Sequence, residues 1–177
     1  KRLFYLSTEY IFGKMLHASL HALGLEDVCL AVMESMGLDS RALFSAEQAI
    51  NLGNNSQAVI AADMLESVAT RDYFAVGYGL LYEFGPPRQE IKDGGQREMP
   101  GLWEESASPW LVERPEDACL VPLYGRVEEG FDRHGNYCPR WVDWKVVVGV
   151  PFDMPISGCK GTTVNTVRFF SARPSHD

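Results

Sequence analysis

Hydrophobic and polar positions divide this chain into a front half with helical spacing and a back half that alternates. Arg2-Leu-Phe-Tyr-Leu-Ser7 is a short apolar and aromatic run, and it predicts a buried strand ending near Glu9. From Gly13 to about Met36 the residues Met15, Leu16, Leu20 and Leu23, then Val28, Ala31, Val32 and Met36, recur at helical spacing. They predict a helical pair broken at Gly24. Asp39 or Ser40 is placed to cap a further helix running to about Ile50. The polar segment Asn51-Leu-Gly-Asn-Asn-Ser56 then leads into a helix built on Ile60, Ala61, Met64, Leu65 and Val68.

Tyr73-Phe-Ala-Val-Gly77 and Leu80-Leu-Tyr82 read as strand, after which Pro86-Pro87 and Asp93-Gly-Gly95 punctuate a more irregular region. Leu120 to Glu128 and Trp141 to Val150 flank the turn-rich Asp132-Arg-His-Gly-Asn136, a β-hairpin pattern, and Val164 to Phe170 predicts one more strand. No internal repeat is visible. The pattern therefore implies an α/β domain carrying a β-hairpin-rich insertion, with the helical part over about 1–85 and the β-rich part over about 86–177.

Composition narrows what such a domain meets. With 177 residues, 46% of them hydrophobic, the chain is long enough to bury a core of one ordinary domain. Acidic residues are spread along it, the formal net charge is −8, and Lys and Arg form no cluster, which argues against a nucleic-acid partner. Charges interrupt every apolar run well before the ~18 residues that a membrane-spanning helix needs, so no membrane partner is expected either. Cys29, Cys119, Cys138 and Cys159 are far apart and form no C-x-x-C pair, so reduced thiols and a cytoplasmic location are expected. The chain opens on Lys1 and closes on Asp177, and both ends read as cuts.

Several segments, in this order, carry a family resemblance. Tyr5-Leu-Ser-x-Glu9 with Gly13, Leu52-Gly-Asn54, Gly77-Tyr-Gly79, Tyr82-Glu-Phe-Gly85 and Arg88-Gln-Glu-Ile91 come first. Pro109-Trp110, Glu113-Arg-Pro-Glu116, Tyr124-Gly-Arg-Val127, Trp141-Val-Asp143, Val150-Pro-Phe-Asp153, Val164-Asn-Thr-Val-Arg168 and Ser171-Ala-Arg173 follow. Each is weak alone, but the collinear set resembles the N-terminal domain of glycogen/starch (α-glucan) phosphorylases over essentially the whole chain. The resemblance implies a partial N-terminal Rossmann-like domain of a two-domain GT-B type glycosyltransferase. It also implies phosphorolysis, in which orthophosphate and an α-1,4-glucan give glucose 1-phosphate, with pyridoxal phosphate as cofactor and a homodimer as the assembly. The lysine that carries the cofactor lies, in the family, in a part not represented here, so the chain by itself is expected to be inactive. The alternative is a non-catalytic sugar-binding or interaction module of the same fold.

By the same resemblance Glu9, Gly53, Asn54 and Asn55 are the substrate- and phosphate-facing residues, and no catalytic residue and no metal ligand is assigned. The family pattern at the phosphate loop is G-L-G-N-G-G-L-G-R, whereas this chain reads Asn51-Leu-Gly-Asn-Asn-Ser-Gln-Ala-Val59. Glycines there admit close approach of an anion to backbone N–H groups and admit positive φ; asparagine at 55 tolerates a left-handed conformation, whereas Ser56 and Ala58 adopt it less easily and imply strain or a blocked loop. Val59 stands where the pattern has arginine and removes a fixed charge. Lys14 and Leu81 also stand at positions of family arginines, and Gln96 where a tryptophan usually follows the glycine.

Blander readings stand beside these. For Glu9 a carboxylate that satisfies backbone donors at the strand end is an equal reading, and for Asn54 the other reading is an ordinary turn asparagine before a helix. His17 and His21, four apart on a helix, lack a third ligand of matching spacing and are not read as a metal site. Tyr82-Glu83-Phe84 is read as strand packed into the core, and Trp103, Trp110, Trp141 and Trp144 as core or interface aromatics. A nucleotide-binding oxidoreductase would need G-x-G-x-x-G soon after the first strand, and Ser7 to Gly13 contains none.

Overall fold

The computed structural model describes residues 2–102, 108–160 and 162–175; Trp103 lies outside them. Its frame is a six-stranded mixed sheet. Strand β1 (Leu3–Leu6) lies parallel to β4 (Ala75–Leu80), which lies parallel to β12 (Val164–Pro174). β12 then runs antiparallel to β11 (Lys145–Ser157), the longest strand, and β11 carries both β7 (Val112–Glu113) and β8 (Cys119–Leu123) on its other edge. The molecule is thus α/β with a mixed sheet whose strands come from both halves of the sequence.

Among the described residues four α-helices accompany the sheet: α1 (Met15–Ala22), α2 (Glu26–Ser35), α3 (Ser40–Ala46) and α4 (Ser56–Thr70). The break at Gly24 is where φ turns positive, +68°, and α1 and α2 meet there with a 120° bend. Asp39 caps α3, its carboxylate accepting from the Arg41 and Ala42 N–H groups. The helix that the spacing carried to Ile50 ends at Ala46, because Ile50 and Leu52 are needed in the core. They form β3 (Ile50–Leu52), which pairs with β2 (Tyr10–Gly13). Among the described residues no single helix is long and apolar enough to cross a membrane.

The core lies between α4 and the sheet. Ala61 and Leu65 of α4 lie in one buried cluster with Val167 and Phe169 of β12 and Met154 and Ile156 of β11, and Ala58 and Ala69 of the same helix are buried as well. Small residues set this distance. A Cβ on Gly77 would come within 2.7 Å of Leu65 Cδ1, and one on Gly79 within 2.9 Å of the Tyr10 ring. Tyr10 is fully buried, stacks edge-on to Phe169, and donates its hydroxyl to the Tyr78 and Tyr5 carbonyls at 3.1 and 3.3 Å. Burial pushes its hydroxyl up to about 12. Asn165, 1% exposed, accepts from the Ala75 N–H at 2.9 Å and donates to the Tyr73 carbonyl at 3.1 Å, fixing β12 beside β4.

The β-rich part is more regular than the prolines suggest. β5 (Phe84–Lys92) and β6 (Gly95–Leu102) form a long hairpin, Pro86-Pro87 falling at a register shift between Gly85 and Arg88, with Asp93 and Gly94 at positive φ in the turn. The second hairpin forms as expected but is kinked. β8 and β11 belong to the main sheet, whereas β9 (Arg126–Glu128) and β10 (Arg140–Val142) make a separate ribbon, and Tyr124, Gly125 and Asp143 take positive φ at the kink. Tyr82 and Phe84 are not core residues, since β4 ends at Leu80 and the chain turns inward at Leu81; Tyr82 is 37% and Phe84 49% exposed. Of the tryptophans, Trp110 packs against the core, and Trp141 and Trp144 stand about half exposed.

Candidate functional site

The segment between β1 and β2 and the segment between β3 and α4 meet at the N-terminus of α4. Ser7 shapes the first: its hydroxyl donates to the Glu9 carbonyl at 2.8 Å and accepts from the Glu9 N–H at 3.3 Å, a local turn just after β1. In the second, Asn55 is the N-cap of α4. Its side-chain oxygen accepts from the Ala58 N–H at 3.0 Å, and its φ of −126° is extended.

All four residues singled out in the sequence come together here. The Glu9 carboxylate accepts from the Asn55 side-chain amide at 2.5 Å and from the Asn54 N–H at 3.4 Å. Gly53 lies under it: a Cβ at Gly53 would sit 2.8 Å from Glu9 Cβ, 2.9 Å from Glu9 Oε2 and 2.9 Å from Ala58 Cβ. Glu9 is half-buried, and Asn54 and Asn55 are exposed. The orientation of the Asn55 amide follows from its two neighbours, because the Ala58 N–H requires an oxygen and the carboxylate requires a donor.

The loop is not strained in the way its lost glycines imply. No residue from Gly53 to Val59 has positive φ, so Asn55, Ser56 and Ala58 bear no left-handed strain. Ala58 is fully buried, turned into the core by α4. What the glycine at 53 supplies is space. The Glu9 carboxylate lies against the two residues that lead into the helix, Asn54 and Asn55.

The other positions lie elsewhere. Lys14 donates to the Phe44 and Ser45 carbonyls at 3.2 and 2.9 Å, tying α1 to α3. Leu81 is buried in the core, and Val59 is 40% exposed on α4. His17 and His21 both face Glu26, at 2.7 and 2.9 Å, and hydrogen bonding to these rings holds the Glu26 carboxyl below its usual range. The four cysteines are unpaired.

A second helix start is closed by a remote carboxylate. Glu47 accepts from the Met15 N–H at 2.9 Å and the Leu16 N–H at 2.9 Å, and from the Trp110 indole at 2.9 Å. It borders a cavity of about 410 Å³ lined also by Leu16, Leu43, Ile50 and Ser108. Local spacing could not reveal Glu47, because its partners are 31, 32 and 63 residues away.

Comparison with known proteins adds a lineage to this geometry. A family model described as carbohydrate phosphorylase matches residues 33–177. The chain is 39% identical over all 177 residues to glycogen phosphorylase, liver form, of Homo sapiens, and 40% identical over 177 residues to the brain form of Bos taurus. It is 41% identical over 168 residues, 95% of the chain, to glycogen phosphorylase of Synechocystis sp.. In each case the chain spans 20% of the relative's length.

Proposed function

The chain belongs to the carbohydrate phosphorylase family, and from that premise we propose that it is one part of an α-glucan (glycogen) phosphorylase, a piece of the N-terminal, Rossmann-like domain of a GT-B type enzyme. The complete enzyme would take orthophosphate and an α-1,4-glucan to glucose 1-phosphate, as a cytoplasmic homodimer. The observation that carries this reading is the match along the whole chain to relatives named glycogen phosphorylase.

Within that reaction this chain supplies one wall of the sugar site. Glu9 offers carboxylate oxygens to sugar hydroxyls, and the first turn of α4 offers N–H groups to an anion. Gly53 keeps the two close enough to act on one ligand. When bound, pyridoxal phosphate supplies the phosphate group that assists proton transfer. The residues described here do not fit that cofactor. The Lys14 amine is engaged by two carbonyls, Lys92, Lys145 and Lys160 are exposed, and none stands beside a cluster of arginines able to hold a phosphate.

A second reading rests on the loop itself. Asn55 and Glu9 join across the place where an anion would sit, and Val59 brings no charge, which favours a non-catalytic sugar-binding or interaction module. The two readings separate in an assay of the longest product of the reading frame containing this chain, loaded with pyridoxal phosphate and given glycogen and orthophosphate. Release of glucose 1-phosphate that stops when the cofactor is withheld supports the enzyme. A folded, loaded protein that binds maltoheptaose but releases no product supports the module.

A further inference from the structure

The spacing that leaves His17 and His21 without a third partner hides one across a corner. The two histidines stand one helical turn apart on α1, so both project from one face. Glu26 follows them by nine and five residues, in the first turn of α2, and the 120° bend between the helices brings its carboxylate back onto that face. One carboxylate oxygen lies 2.7 Å from His17 Nε2 and the other 2.9 Å from His21 Nδ1. Phe44 of α3 steadies the His17 ring, stacked on it at 4.9 Å between centroids. Two imidazoles and a carboxylate, from two helices, therefore meet in one place.

We propose that this corner binds a divalent transition-metal ion of the zinc type, with His17, His21 and Glu26 as its ligands. Two histidines and one carboxylate are a donor set that such ions take, whereas magnesium and calcium are held by oxygen. Among the described residues no three His, Cys, Asp or Glu side chains are already arranged around one ion; here hydrogen bonds hold the three together instead. The rearrangement needed is small. Donor atoms about 2.0–2.1 Å from one zinc lie roughly 3.3 Å apart at tetrahedral angles, so each ring and the carboxylate must part by about half an ångström. The side chains are 57%, 69% and 30% exposed, which leaves room for that shift and for water as a further ligand. Each ring then binds through the nitrogen that faces Glu26: a neutral ring carries its proton on the other nitrogen, and a charged ring releases one proton to water. Glu26 turns the pair into a site, because it supplies both the third ligand and the negative charge. The bound ion ties α1 to α2, so occupancy stabilises the folded chain.

The test is a calorimetric titration with zinc chloride, in excess magnesium, of the longest product of the reading frame containing this chain. Wild type is compared with His17→Gln, His21→Gln and Glu26→Gln, with circular dichroism and thermal melts reporting that each is folded. The expected result is one zinc site per chain that weakens on the order of tenfold or more in each variant, together with a zinc-dependent rise in melting temperature that each variant loses. Equal affinity and an equal rise in wild type and both histidine variants overturns the site and leaves the zinc on other groups, such as the free thiols. Weakening in the histidine variants with Glu26→Gln unchanged overturns the three-ligand site by removing Glu26 from it. Absence of zinc binding in the wild type, or its loss to magnesium, overturns the proposal outright.

Discussion

At Gly53 a single hydrogen decides whether two loops can meet. An added methyl at this position would press on Glu9 and Ala58 at 2.8–2.9 Å, and Ala58 cannot yield because it is fully buried. Gly53→Ala is therefore expected to lower stability by about 1–3 kcal/mol, as overpacking does, and to displace Glu9. A fall in the urea midpoint at constant slope checks it. Asp153 is a second residue whose surroundings predict behaviour. Arg168, at 2.7 and 2.9 Å, and Arg114, at 3.3 Å, hold its carboxyl below the usual carboxylate range, Arg168 having the larger effect. A folded-state value below the unfolded one adds stability that is complete above the ordinary carboxylate range and is lost as pH falls through the lowered value. Asp153→Asn should cost about 1.5–3 kcal/mol at neutral pH, and the gap from wild type should narrow on acidification, read from urea midpoints across a pH series.

At the scale of elements, α4 both builds the core and presents the site. Leu65, fully buried on its inner face, packs beneath Gly77, and Leu65→Ala should cost about 2–5 kcal/mol by leaving a cavity. The outer end depends on its cap. Asn55→Ala should cost about 1 kcal/mol and Asn55→Gly only a few tenths, a difference that thermal melts of the two variants can resolve. The helix itself was legible in the sequence from its apolar spacing and from the polar segment before it. Its neighbour α3 is shorter than its spacing predicts, because Ile50, which continues the apolar pattern, forms a strand against β2 together with Leu52. Local spacing carries no information about a partner strand some 40 residues earlier, and burial of both residues decided the matter.

Across the whole molecule, β12 is the joint. It pairs parallel with β4 on one side and antiparallel with β11 on the other, and its Arg168 reaches Asp117 and Asp153, so the front and back halves of the sequence share one sheet. A division near residue 85 follows composition, but the hydrogen-bonded frame crosses it. What the sequence determined by itself was the order of motifs and with it the family, because collinear short patterns survive where individual residues change. Helix starts, hairpin turns and apolar faces were also readable, since propensity, capping and periodicity act over a few residues. The tertiary structure alone decided that β2 and β3 pair, that Glu47 closes α1, and that Asn55 holds Glu9 without backbone strain. Each of these joins groups tens of residues apart, and such contacts form only when burial of the core brings their segments to the same place.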